Sequence, residues 1–311
     1  MSDIVVLGSF MMDLVTKTER LPENGETLVG TSFIQNAGGK GANQAATIAK
    51  LGKPVKFIGM VGNDDFGKEA KEVLISAGVQ IGHLEETDLA STGIGNVMVG
   101  KDGSNRIIII PGANLKYSAK EFETVKELIK AAKLLVMQLE MDFELTKLAI
   151  NFAHENGVEI LLNPAPAREL PIELLSKVSY LTPNETELGI VTNRTISTTE
   201  EAVAAAQILV EKGVDNVIVT LGEKGAVWVD NGNNIVKMKA LTVDAVDTVA
   251  AGDSFNGALA CGIIDGLEKN DILKMANQVG ALTVTKVGAI QALPTYEELY
   301  EFQQVMEATN V

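Results

Sequence analysis

One cysteine, Cys261, stands in a chain of 311 residues, so no intramolecular disulfide can form. A chain that does without disulfides fits a reducing cytosol, which is the expected compartment. The opening MSDIVVLGSF lacks a basic flank, and Gly8 interrupts its apolar run. It therefore reads as a buried first strand and not as a secretion signal. No apolar run approaches the roughly 18 residues that a membrane span needs. Basic residues are outnumbered, 26 against 41 acidic, for a net charge of −15. That balance disfavours nonspecific binding to nucleic acid or an anionic membrane. It leaves room for a phosphate ligand, because a local cradle of backbone N–H groups can outweigh global repulsion. Proline is scarce, 8 residues against 29 glycines, and 46% of the chain is hydrophobic. Tight turns and a large core follow, and disorder is excluded.

Short β-branched runs alternate with longer helical stretches. Residues 4–7, 55–58, 134–138, 159–162 and 216–220 read as buried strands. Helices are expected over 40–50, 66–77, 119–131, 143–156 and 200–212, several of them stopped by glycine. Strand and helix repeated in this order predict an α/β domain with an open parallel sheet covered on both faces. Residues 14–34 and 92–110 break the rhythm and have no room for a crossover helix. Each reads as a pair of strands, the first about a Pro-Glu-Asn-Gly turn and the second about residues 101–105, forming a small β appendage. The tail is helical again, over 255–264, 272–285 and 295–307.

The chemistry concentrates in residues 245–257, AVDTVAAGDSFNG. Ala250, Ala251 and Gly252 are small enough to let consecutive N–H groups face an anion at a helix N-terminus. Asp253 then stands where a carboxylate would take a proton from an attacking hydroxyl, the arrangement that phosphoryl transfer to an alcohol needs. Read alone, Asp253 serves equally as a helix cap.

That segment resembles the C-terminal signature of the ribokinase-like carbohydrate kinases. Residues 37–45, AGGKGANQA, resemble the N-terminal signature, and residues 182–187, TPNETE, a third segment. The resemblance runs over essentially the whole chain and is nearest to the ribose and deoxyribose kinases. It implies one domain over 1–311, a three-layer sandwich with a central, mainly parallel sheet, and a lid made of about 14–34 and 92–110. It also implies that Asp253 is the general base and that the backbone of Ala250, Ala251, Gly252 and Asp253 is the anion hole. Neither glycine-rich segment matches GxxxxGK[ST], so a Walker loop is excluded.

The resemblance further implies a sugar pocket lined by Gly38, Gly39, Lys40 and Asn43, with Asp13 accepting two hydroxyls and Glu140 a further one. Residues 38–41 also fit an ordinary strand-to-helix turn, and Asp13 a cap or turn. Asn184 and Glu187 would organise Mg²⁺ and its waters; the same pair fits a capping box. Thr220, Gly222 and Gly225 would meet ATP, with Asn277 on the adenine side. The family's ribose kinases use a monovalent cation, so K⁺ is expected at Asp247, the carbonyl of Val249 and the carbonyls of Thr283, Lys286 and Gly288. A buried Asp247 unpaired with a cation would be costly, which supports a site there. Homodimerisation through the lid is the implied assembly.

Ribose-specific members of the family usually carry Asn where this chain has Met11. Met offers a soft apolar surface that covers a methylene better than a hydroxyl. The expected reaction is therefore ATP-dependent phosphorylation of O5 of 2-deoxy-D-ribose, with D-ribose the alternative. A related kinase acting on adenosine or fructose 6-phosphate, and a nonenzymatic sugar sensor, are the other readings. A phosphosugar kinase would need extra basic residues near the sugar motifs, where lysine and arginine are sparse, and a sensor leaves an intact Asp253 and anion hole without a purpose.

Overall fold

The computed structural model describes residues 3–309. Its strands are β1 (Ile4–Leu7), β2 (Met11–Thr18), β3 (Ser32–Gly38), β4 (Val55–Gly62), β5 (Gln80–Thr87), β6 (Gly93–Gly100), β7 (Asn105–Ile110), β8 (Leu134–Met137), β9 (Glu159–Leu162), β10 (Tyr180–Leu181), β11 (Asn216–Thr220), β12 (Ala226–Asp230) and β13 (Ile235–Met238). The helices are α1 (Lys40–Lys50), α2 (Asp65–Ser76), α3 (Ala119–Lys130), α4 (Phe143–Glu155), α5 (Ile172–Leu175), α6 (Glu185–Thr192), α7 (Thr199–Glu211), α8 (Ala251–Ile264), α9 (Lys269–Val284) and α10 (Tyr296–Thr309).

Nine strands form the main sheet in the order β13-β12-β11-β10-β9-β8-β1-β4-β5. All its pairings are parallel except those joining β11, β12 and β13. The alternation within β1 shows why both faces must be covered. Val5 and Leu7 belong to one apolar core, with residues of α3, α4 and α7. Ile4 and Val6 belong to the other, with residues of α1, α8 and α9. A strand with no polar face requires helices on either side, which gives the expected three layers. Among the described residues, no helix is long and apolar enough to cross a membrane.

The lid is a separate four-stranded sheet, β3-β2-β6-β7, wider than the expected segments. Its strands start at Met11 and run to Gly38, so three of the expected sugar residues, Met11, Asp13 and Gly38, lie on lid strands. β2 pairs with β3 and β6 with β7 antiparallel, but β2 and β6 run parallel, joining the two hairpins into one mixed sheet. The structure also adds β5, β10, β12, β13 and α5, which the strand and helix reading lacked, and α6 follows the capping box expected at Asn184 and Glu187. β5 is an edge strand with mainly polar, exposed positions, and β10 has only two residues, so neither produces an apolar run. The helix expected from 255 begins at Ala251, which places Gly252 and Asp253 in its first turn.

Candidate active site

β1 has β8 on one side and β4 on the other, so the strand order reverses at that point. In open α/β sheets such a reversal opens a crevice at the carboxyl ends of the strands. Ser9 follows β1 there, Glu140 follows β8, Asn163 follows β9, Asn184 follows β10, and Thr220 ends β11.

One half of the crevice is a cavity of about 230 Å³ whose lining includes Lys40, Asn184, Glu187, Thr220, Gly252 and Asp253. Ala250 and Ala251 line it too. Ala250 is the N-cap residue of α8 and adopts a left-handed conformation, φ 61°, with no side chain capping the helix. That conformation costs an L-residue on the order of 1–3 kcal/mol. Ala251 N–H donates to the Thr248 carbonyl at 3.3 Å, and no side chain caps the N–H groups that follow it. A Cβ placed on Gly252 would meet no atom within 4 Å, so glycine here keeps volume open. The Lys40 ammonium is held in its charged form chiefly by Asp253, with Glu140, Glu187 and Asp13 adding to the effect against burial.

Asn184 and Glu187 form a reciprocal capping box on α6: Asn184 N–H donates to Glu187 Oε2 at 2.9 Å, and Glu187 N–H donates to Asn184 Oδ1 at 2.8 Å. The cap reading and the ligand reading are thus compatible, because the same residues line the cavity. Burial raises the Glu187 pKa, opposed by the Asn184 N–H and by Lys40.

The other half of the crevice gathers acidic side chains. The Asn43 amide donates to Asp253 Oδ2 at 2.8 Å, and Gln44 Nε2 approaches Oδ1 at 3.4 Å. Glu140 accepts from the Lys40 N–H at 3.0 Å and from the Ser9 hydroxyl, so it occupies the start of α1. Burial pushes the Glu140 pKa up, against the pull of Lys40. Asp13 rises to about 6, first through burial and then through Glu140 and Asp253, with Lys40 opposing. A carboxylate gathering of this kind is short of donors, and the hydroxyls of a sugar would supply them. Asn43 Oδ1 is buried without a partner, which marks a further acceptor waiting there.

Two glycines make this half possible. Gly39 has φ +92°, and a Cβ on it would lie 2.7 Å from the Met11 nitrogen. A Cβ on Gly95, opposite Asp13 across the β2–β6 pairing, would lie 2.3 Å from Asp13 Oδ1. The Asp13 carboxylate therefore lies over Gly95, a residue absent from the expected site.

The expected site residues do not all converge. Asn277 lines a different groove of about 210 Å³ with Met238, Lys239 and Lys274, and its amide donates to the Lys239 carbonyl at 3.2 Å. Gly222 opens a 3-10 turn beyond β11, and Gly225 ends it. Asp247 corrects an expectation: it is half-exposed and well partnered, with Oδ1 accepting from Val249 N–H at 3.1 Å and Oδ2 from Gly288 N–H at 3.0 Å. Two backbone amides therefore offset the charge that a cation alone was expected to balance. The Thr283 carbonyl accepts from Lys286 N–H at 3.2 Å, and the Lys286 ammonium pairs with Glu298.

Sequence reading also missed a buried amide network behind Asp253. Gln138 donates to Gln44 at 2.6 Å, Gln44 donates to Asn163 at 3.3 Å, and Asn163 donates to the Thr182 carbonyl at 3.0 Å. The only signal of it in the sequence is a set of polar residues at strand ends and on an otherwise apolar helix face.

A doubly wound body with a lid, and an uncapped helix start beside a buried carboxylate, fit a phosphotransferase acting on an alcohol. The chain belongs to the pfkB family of carbohydrate kinases, whose profile matches residues 1–296. It is 40% identical over 306 residues to deoxyribokinase of Salmonella typhimurium, covering 98% of this chain and 100% of that enzyme. It is 39% identical over 308 residues to ribokinase of Schizosaccharomyces pombe, covering 96% and 97% of the two chains. Among solved structures, Arabidopsis thaliana ribokinase complexed with ribose and ATP superposes with a TM-score of 0.91 at 32% identity, covering 97% of this chain and 99% of the other.

Proposed function

We propose that this kinase transfers the γ-phosphoryl group of ATP to O5 of a pentofuranose, with D-ribose the better supported sugar. The observation that carries the reading is Asp253. It is held by amides of α1, stands in the first turn of the uncapped α8 and lines the same cavity as Lys40 and Gly252. Asp253 takes the proton of O5 as that oxygen attacks phosphorus, and the N–H groups at the start of α8 receive the charge that develops on the phosphoryl oxygens. Lys40 brings a fixed positive charge to the same cavity. Asp13, Asn43 and Glu140 orient the sugar by accepting its hydroxyls, and the lid closes over it to exclude water.

Asn184 and Glu187 suit a hydrated Mg²⁺: both line the cavity, and among the described residues the hydrogen bond to the Glu187 carboxylate is taken by Oε2. The ion would neutralise phosphate charge. Asp247 and the carbonyls of Val249, Thr283, Lys286 and Gly288 would hold K⁺, an oxygen-only set brought together by the Asp247–Gly288 contact. The lid would also pair with its twin in a homodimer. Ile107, Ile108, Ile109 and Ile110 on the edge strand β7 are 48–57% exposed, on both faces of the strand.

Ribose is named for the fungal and plant relatives and deoxyribose for the Salmonella one. Met11 favours 2-deoxy-D-ribose as the second reading, since it is buried on β2 two residues before Asp13 and carries no hydrogen-bonding group. Coupled ADP release with ATP, Mg²⁺ and K⁺ compares kcat/KM for the two sugars. The expected result is turnover of both, with ribose equal or better. A tenfold deoxyribose advantage, about 1.4 kcal/mol, that Met11→Asn abolishes would transfer the assignment to deoxyribose. No turnover of either would overturn the pentose reading. Unchanged rates without K⁺ would remove that ion.

A further inference from the structure

Residues 8–10 carry the chain from the body into the lid, and every one of them is tied by its backbone. Gly8 N–H donates to the Ile58 carbonyl at 3.0 Å, and the Ser9 carbonyl accepts from Ala42 N–H at 2.9 Å. Phe10, the last residue before β2, is held differently: one side chain takes both of its backbone groups. Its N–H donates to Asn114 Oδ1 at 3.1 Å, and its carbonyl accepts from Asn114 Nδ2 at 2.8 Å. The same Nδ2 donates to the Pro111 carbonyl at 2.9 Å.

Asn114 is 0% exposed and lies in the 3-10 turn Gly112–Leu115, directly after β7 returns from the lid. A single carboxamide therefore joins the point where the chain leaves the body to the point where it comes back. The start of β6 packs against it as well, since a Cβ on Gly93 would lie 2.5 Å from Asn114 Nδ2. The crossing into β6 has its own tie to the body, with Thr92 bonded through backbone and hydroxyl to Asp64 at the start of α2. Asn114 thus sits among three lid strands, and the one it grips directly leads within three residues to Asp13.

We propose that Asn114 is a positioning residue for sugar capture. It fixes the direction in which β2 leaves the body, and so the place where the Asp13 carboxylate meets the sugar; this rests on Asp13 being a sugar acceptor. Asn is suited to the task because its amide offers an acceptor and a donor side by side, matching the N–H and C=O of one residue as a neighbouring strand would.

The test measures KM for ribose, KM for ATP, kcat and melting temperature for Asn114→Ala, Asn114→Ser and Gly93→Ala, with Asp13→Ala in parallel. Gly93→Ala crowds the amide without removing it and serves if the Asn114 variants fail to fold. The expected result is a sugar KM raised tenfold or more with ATP KM within twofold of the parent. A lower melting temperature with both KM values unchanged would show that Asn114 only stabilises the fold, and would overturn the proposal. So would an equal rise in both KM values. If Asp13→Ala leaves sugar KM unchanged, the sugar-acceptor reading fails, and positioning through Asp13 fails with it. A large effect of Asp13→Ala beside silent Asn114 and Gly93 variants overturns positioning alone.

Discussion

At the phosphate end of the crevice the proposed recognising groups are main-chain N–H groups at the start of α8, where the turn is uncapped and Ala250 and Ala251 carry only methyls. At the sugar end the proposed groups are the side chains of Asp13, Asn43 and Glu140, drawn from β2, α1 and the residues after β8. The first end carries a nearby ammonium, Lys40. The second holds Asp13, whose pKa is pushed up to about 6 by burial and then by the Glu140 and Asp253 carboxylates. A backbone cradle can receive any phosphoryl group, so it defines the reaction. Side chains meeting across a lid read individual hydroxyls, so they define the substrate.

The sharpest break in this comparison is at Asp253, where the two ends meet. Asp253→Ala should lower kcat by roughly 10²–10⁴-fold, the range for loss of a positioned base, while ATP titration shows binding retained. A turnover within tenfold of the parent would remove Asp253 as the base. Gly252→Val tests the phosphate end alone. Its side chain would occupy space now open within 4 Å, and kcat should fall by roughly 10²-fold or more, as when a charge-stabilising donor is lost. Sugar KM should change little; a matching loss of sugar affinity would show that the two ends do not act separately.

The smallest effect concerns stability. The folded Asp13 pKa of about 6 lies above its ordinary 3.8. Between those values the folded protein binds more protons than the unfolded one, so this group makes the protein more stable as pH falls from about 6 to about 4. Asp13→Asn should therefore stabilise the sugar-free enzyme at pH 7 by on the order of 1–2 kcal/mol, discounted for partial exposure. The gain should vanish near pH 4. The same variant should raise sugar KM. Equal melting temperatures at pH 7 would mean that water screens the crowding at the sugar end.

The regularity of the body was open to sequence reading, because buried parallel strands and glycine-stopped helices leave strong local patterns. Edge strands do not, which is why β5 escaped notice, and β10 is too short for any pattern. Residues of the site divide in the same way. Ala250, Ala251, Gly252 and Asp253 stand at consecutive positions, so the role proposed for them could be suggested by one line of sequence. Gln44, Gln138 and Asn163 form their network from three separate segments, and nothing local marks them as a group. Asp247 was grouped correctly with Gly288 but taken to be buried; its half-exposure depends on how the loop before α8 lies against the end of α9, which no local pattern reports.

The sequence by itself determined the doubly wound class, the exclusion of a Walker loop and the helix start that would hold a phosphoryl group. Those depend on hydrophobic period, residue size and backbone conformation over a few consecutive positions. Only the tertiary structure brought Asp13 over Gly95, seated Glu140 at the start of α1 and put the backbone of Phe10 in the grip of Asn114. Each of these is a contact between elements whose meeting is set by sheet order and lid pairing. Its energy comes from burial and hydrogen bonding that exist only once those elements have packed.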